Sequence, residues 1–66
     1  MKVVVNGEAI EVDGITSVAE LANKYGFGPN TVLIEHNAIA LHQREWKERS
    51  LNEGDRIEFI RVVAGG

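Results

Sequence analysis

The sequence contains no cysteine and only one proline, one tryptophan and one tyrosine among its 66 residues. Without cysteine, the chain cannot form a disulfide, a thiolate metal site or a thiol nucleophile. Basic residues are also few, since seven Lys and Arg stand against ten Asp and Glu, for a formal net charge of −3. The basic stripe with interleaved aromatic residues that is typical of nucleic-acid binding is missing, so we expect no nucleic-acid partner.

Long apolar runs are absent as well. No stretch approaches the roughly 20 apolar residues that a membrane-spanning helix needs, and no leader with a charged and then apolar segment opens the sequence. We therefore expect a cytoplasmic protein without membrane contact, and a monomer when free. A domain of this size buries only about 60% of its unfolded surface, which leaves little room for a large catalytic cleft.

The sequence opens with a predicted β-hairpin. Asn6-Gly7 favours a two-residue type I′ turn, because both central residues of that turn need positive φ. Such a turn pairs Val3 with Ile10, and the alternation of side chains along a strand then defines one buried face. We predict that this face consists of Val3, Val5, Ile10 and Val12.

A short amphipathic helix is predicted next. Ser17 and Glu20 form the S-x-x-E pattern of a capping box at its start. Gly26 is expected to end the helix in a left-handed turn. The apolar residues between these signals recur at helical spacing; they are Val18, Leu21, Ala22 and Tyr25.

The second half of the sequence predicts two short strands and a short helix or turn. Thr31–Glu35 is suited to a largely buried strand and Ile39–Leu41 to a returning strand, with a turn at residues 36–38 between them. Residues 42–50 are polar around Trp46, which we expect to anchor them to the core.

Arg56–Val62 alternates as a final strand, with Ile57 and Phe59 inward and Glu58 and Ile60 outward. A right-handed connection through the helix would set the first and last strands side by side and parallel. The predicted fold is therefore α+β of the β-grasp (ubiquitin-like) type. It has a mixed sheet of four to five strands and one main helix packed across the sheet.

The last residues of the sequence form a predicted tail. Gly65 and Gly66 have no Cβ atom and can enter a narrow channel in backbone conformations that are closed to other residues. We predict a β-grasp domain at residues 1–63 and a flexible Gly-Gly tail at residues 64–66. The residues beside the tail are candidates for docking on a partner; they are Ile60, Arg61, Val62 and Val63.

Several short motifs also occur in a specific order along essentially the whole sequence. They are Asn6-Gly7, Val18-Ala19-Glu20-Leu21, Glu35-His36-Asn37, Arg44-Glu45-Trp46, Leu51-Asn52-Glu53-Gly54-Asp55-Arg56-Ile57-Glu58 and Val62-Val63-Ala64-Gly65-Gly66. With these motifs the chain resembles the ThiS family, the ubiquitin-like sulfur carrier proteins of thiamine biosynthesis. It departs from the family at Ala38, where glycine is common, and at residues 41–44, where the family commonly has Val-Pro-Arg.

The resemblance implies a carrier protein that has no catalytic residues and binds no cofactor itself. An E1-like adenylyltransferase (ThiF), which binds ATP and magnesium, would adenylate the carboxylate of Gly66. A persulfide protein would then supply sulfur for a thiocarboxylate, and thiazole synthase (ThiG) would use that sulfur. Gly65 and Ala64 would thread the partner's channel.

Alternative functions stay open from the sequence. The same carrier chemistry could serve molybdopterin, cysteine or a secondary metabolite, or the chain could be a ubiquitin-like modifier or a non-catalytic protein-binding module. We expect no metal site, because His36 and His42 have neither cysteine nor well-spaced carboxylates nearby and are predicted to be ordinary turn residues. Arg44, Lys47 and Arg49 are predicted to lie on a solvated face.

Overall fold

The computed structural model describes residues 1–28 and 30–62. The described elements are β1 (Lys2–Val5), β2 (Glu8–Glu11), α1 (Val18–Lys24), β3 (Val32–His36), β4 (Ile39–Leu41), a 3₁₀ helix (Gln43–Glu48) and β5 (Arg56–Arg61). The strands form one sheet in the order β2-β1-β5-β3-β4, in which β1 and β5 are parallel and the other neighbours antiparallel. This confirms the predicted mixed sheet with its central parallel pair. No helix in the described ranges is long and apolar enough to cross a membrane.

The N-terminal hairpin has the predicted register. Val3 pairs with Ile10 and Val5 with Glu8, and φ is positive at both Asn6 (49°) and Gly7 (83°). The Asn6 side chain also accepts a hydrogen bond from the backbone N–H of Phe59 at 2.7 Å. The turn residue therefore ties the hairpin to β5, in addition to closing it.

Helix α1 begins as predicted, except for one half of the capping box. The Ser17 hydroxyl accepts from the Glu20 N–H at 3.1 Å. The Glu20 carboxylate, however, accepts from both the backbone N–H and the hydroxyl of Thr16, each at 2.7 Å. Thr16 offers two donors to one carboxylate oxygen, and these hydrogen bonds lower the pKa of Glu20.

The C-terminal end of α1 differs from the predicted apolar stripe at Tyr25. Gly26 has φ of 76°, as expected for a left-handed helix end. Tyr25 is 41% exposed, and its ring stacks on Phe27 and packs against Phe59. It belongs to an aromatic cluster at the margin of the core.

The core lies between one face of the sheet and the two helices. Trp46, 8% exposed, anchors the 3₁₀ helix as predicted, whereas Ile10 is only partly buried and packs against the core. The buried hydrophobic residues of the described chain are Val3, Val5, Val12, Val18, Leu21, Ala22, Val32, Ile34, Leu41, Trp46, Leu51, Ile57 and Phe59. On the other side of the sheet, residues 1–28 and 30–62 form no helix, and we call this side the open face.

The prediction of ordinary turn positions was wrong for His36. This residue is the last of β3 and is 5% exposed, and the turn that follows consists of Asn37 and Ala38, with φ of 51° and 71°. The prediction of a solvated Arg49 was also wrong, because its side chain is partly buried and donates to His36 Nδ1 at 3.2 Å. Both errors come from contacts between residues far apart in the sequence.

Candidate functional site

The end of β5 presents the predicted docking residues to solvent. Ile60 is 43% and Val62 48% exposed, and Arg61 between them is also exposed. The Val62 N–H donates to the Thr31 carbonyl at 3.2 Å, so the chain stays beside the start of β3 up to residue 62. The remaining predicted site residues, Val63, Ala64, Gly65 and Gly66, lie outside the described residues.

Ile60 shares the open face with a residue that the sequence analysis missed. Leu33 on β3 pairs directly with Ile60 on β5 and is 58% exposed. Side chains of directly paired residues lie on the same face, about 4.5–5.5 Å apart at Cβ. The two form an exposed apolar pair, the Leu33–Ile60 patch. The alternation of buried and exposed residues in β3 could have revealed Leu33, but its neighbour depends on the pairing of β3 with β5.

Arg61 lies on the opposite face from Ile60. Its guanidinium carbon is 5.9 Å from the centroid of the Phe27 ring, a cation–π distance. Phe27 in turn packs against Phe59, with ring centroids 5.0 Å apart. The structure therefore divides the predicted docking residues: Ile60 faces the open side, whereas Arg61 braces the end of the strand against the aromatic cluster.

Two carboxylates adjoin the Leu33–Ile60 patch. Glu35 and Glu58 are direct partners in the β3–β5 ladder, so both project from the open face. With Arg56 they line a pocket of about 200 Å³. Within the described ranges none of the three forms a salt bridge. Like charges placed directly opposite destabilise a sheet, so this pair lowers stability beside the exposed apolar surface.

A buried polar cluster connects β3 to the turn before β5. His36 Nε2 lies 2.7 Å from Asp55 Oδ2, and Arg49 Nε donates to His36 Nδ1. A guanidinium can only donate, so Nδ1 accepts, and Nε2 carries the hydrogen that it donates to Asp55. Asp55 also accepts from the Asn52 N–H at 2.9 Å and from the Asn37 amide at 3.1 Å.

The electrostatics of Asp55 fit a structural role for this hydrogen-bonded cluster. Burial by itself raises the pKa of this carboxyl, but the hydrogen bonds from His36, Asn52 and Asn37 outweigh burial and leave the pKa below its ordinary value. His36 and Asp55 have side-chain exposures of 7% and 12%. Among the described residues, no group of three or more His, Asp or Glu side chains is arranged to hold a metal ion. The cluster holds two turns together.

The comparisons with protein families and with solved structures point to the same family. The model of the ThiS family matches residues 3–66. The crystal structure of the thiamine biosynthesis protein ThiS from Geobacter metallireducens superposes with a TM-score of 0.82 at 30% identity, and the match covers the whole of both chains.

Two further relatives differ in how much of their length is matched. The uncharacterized protein ycf40 of Porphyra purpurea is 31% identical over 62 residues, which cover 94% of this chain and 87% of ycf40. The thiazole synthase of Magnetococcus marinus is 30% identical over all 66 residues, but the chain spans only 20% of that protein's length.

Proposed function

Because the chain belongs to the ThiS family, we propose that it carries sulfur as a thiocarboxylate on Gly66 for thiazole formation in thiamine biosynthesis. Membership of this family makes the chain a small sulfur carrier rather than an enzyme. The observation that carries the proposal is the family match, which runs from residue 3 through Gly66 and so includes the Gly-Gly motif.

The proposed chemistry begins by activating an unreactive group. A terminal carboxylate has a pKa near 3.5, so at neutral pH it is an anion that resists nucleophiles. On an E1-like adenylyltransferase that binds ATP and magnesium, a carboxylate oxygen of Gly66 would attack the α-phosphorus and release pyrophosphate. A persulfide sulfur on a donor protein would then displace AMP from the carbonyl carbon. A thiol would reduce the resulting acyl disulfide to the thiocarboxylate.

The similarity to thiazole synthases supports a synthase of this type as the sulfur acceptor. In the thiazole synthase of Magnetococcus marinus, a stretch similar to the entire chain makes up about 20% of the protein. Two domains in one chain meet at a high effective concentration, which is an advantage when one domain passes a group to the other. A carrier-like stretch within a thiazole synthase is therefore the arrangement expected for a carrier and its acceptor. Because the activation step consumes ATP, we expect the carrier to work in the cytoplasm.

We also propose that the Leu33–Ile60 patch, with Val62 beside it, docks on the activating enzyme. The patch is apolar, exposed and adjacent to the end of β5. Apolar surface of this kind contributes to an interface when a partner buries it. Four extended residues, at ~3.3 Å each, reach about 13 Å. Docking here would therefore allow residues 63–66 to enter an active site at that distance.

Intact mass spectrometry tests the proposal. The chain would be incubated with an E1-like adenylyltransferase, ATP, magnesium and a sulfide source. We expect a mass gain equal to exchange of one oxygen for sulfur, located at Gly66. A matched chain without Gly65-Gly66 should gain nothing, and Gly65→Ala should slow adenylation by hindering entry of the tail into the channel.

Two results would contradict the proposal. No mass gain with an enzyme that is competent on another carrier would favour the non-catalytic binding module. Adenylation of Gly65→Ala at the parent rate would refute the role given to Gly65. Transfer to thiazole synthase, compared with transfer to acceptors of other pathways, would separate the thiamine carrier from the molybdopterin, cysteine and secondary-metabolite alternatives.

A further inference from the structure

A groove lies between α1 and the 3₁₀ helix, on the side of the sheet opposite the Leu33–Ile60 patch. It has a volume of about 400 Å³, and the partly exposed Ala19 and Phe27 contribute apolar surface to it. We call it the α1 groove.

Two cationic side chains line the α1 groove, although the chain as a whole is acidic. Arg44 and Lys47 line it, are exposed, and form no salt bridge within the described ranges. No carboxylate is among its described lining residues. The pocket on the open face contrasts with it, because Glu35 and Glu58 line that pocket beside one arginine. With a formal net charge of −3 for the whole chain, the cations of the α1 groove mark it as a local surface for an acidic ligand.

Trp46 forms part of the wall of the α1 groove. It lines the groove and is 8% exposed, so a ligand bound there would lie beside its ring.

We propose that the α1 groove binds a short acidic segment of a partner protein. An apolar side chain of that segment would lie on Ala19 and Phe27. A neighbouring carboxylate would accept charge-assisted hydrogen bonds from Arg44 and Lys47. This combination of apolar contact and anion recognition sets the chemistry of the partner.

The α1 groove lies close to the end of β5. Trp46 and Gln43 line both this groove and a neighbouring pocket, which Leu33 and Val62 also line. A partner in the α1 groove would therefore lie near Val62. The proposal does not depend on sulfur loading.

Selection from a random peptide library displayed on phage, with the full chain as bait, tests this binding. We expect the selected peptides to share an Asp or Glu next to an apolar residue. Synthetic copies should change the fluorescence of Trp46, the sole tryptophan of the chain, and shift the amide resonances of Ala19, Ala22 and residues 43–47.

Charge-reversal variants provide the controls. Arg44→Glu combined with Lys47→Glu should weaken peptide binding by roughly tenfold, because two attractions become repulsions. Lys2→Glu combined with Arg56→Glu makes the same charge change away from the α1 groove and should leave affinity within about twofold.

Circular dichroism would confirm that each variant is folded, and the intact-mass assay would show sulfur loading separately. Four outcomes would overturn the proposal: no consensus, a basic consensus, resonance shifts confined to the open face, or full affinity after the Arg44 and Lys47 reversals. Loss of sulfur loading with intact peptide binding would instead count only against the carrier function.

Discussion

Removing the Asp55 carboxylate is the sharpest test of the buried cluster. In Asp55→Ala, three donors lose their acceptor: His36 Nε2–H, the Asn52 N–H and the Asn37 amide. The bonds from Asn52 and Asn37 are solvent-exposed, so water can replace the carboxylate there. His36 is 5% exposed, and its Nε2–H stays without an acceptor.

The magnitude follows mainly from that one buried donor. Leaving a buried donor unsatisfied costs about 1–3 kcal/mol, so we expect Asp55→Ala to lower the free energy of unfolding by about 2–3 kcal/mol. The total free energy of unfolding of a 66-residue domain is roughly 3–10 kcal/mol. The melting temperature should therefore fall by roughly 10–20 °C.

Thermal unfolding followed by circular dichroism at pH 7 measures this effect. Asp13→Ala is the matched control, because it removes an aspartate whose side chain is 94% exposed, and it should change stability by less than about 0.5 kcal/mol. If Asp55→Ala melted within the error of Asp13→Ala, the inference that Asp55 satisfies a buried histidine would be refuted.

The same comparison predicts a pH dependence. The folded-state pKa of Asp55 is lowered, so its ionised carboxylate adds stability above the unfolded-state pKa of about 3.9. That contribution is lost as the pH falls through the folded-state value. The stability gap between parent and Asp55→Ala should be largest near neutral pH and narrow as the pH falls below the unfolded-state pKa. A constant gap would contradict the assignment of an ionised, hydrogen-bonded Asp55.

Three further variants test other parts of the structure. Ser17→Ala removes the acceptor of the Glu20 N–H and should cost about 1 kcal/mol in chemical denaturation; an unchanged midpoint would contradict the cap. Glu58→Lys replaces repulsion by Glu35 with attraction and should raise stability by about 0.5 kcal/mol, whereas a lower urea midpoint would refute the like-charge argument. Ile60→Asp, at a residue that is 43% exposed, should leave the fold intact yet slow adenylation roughly tenfold, and a parental rate would rule out docking through this patch.

Features set by neighbouring residues were predictable from the sequence. Asn6-Gly7 predicted the hairpin and its register because a two-residue turn leaves one way to pair the strands. Gly26 predicted the end of α1 because glycine adopts the left-handed backbone conformation more readily than other residues. The alternation in β5 predicted Ile57 inward and Ile60 outward. The role of Gly66 stays a prediction, since it rests on a motif outside the described residues.

Features that join distant segments were decided only by the tertiary structure. His36 meets Arg49 and Asp55, 13 and 19 residues away in the sequence, and no local pattern distinguishes this histidine from one in a turn. Leu33 and Ile60 become neighbours because β3 pairs with β5 in one register. The sequence by itself determined the elements and their order, because short-range sterics and periodicity act within a few residues. Packing decided which side chains share a surface, because burial and strand register are properties of the assembled chain.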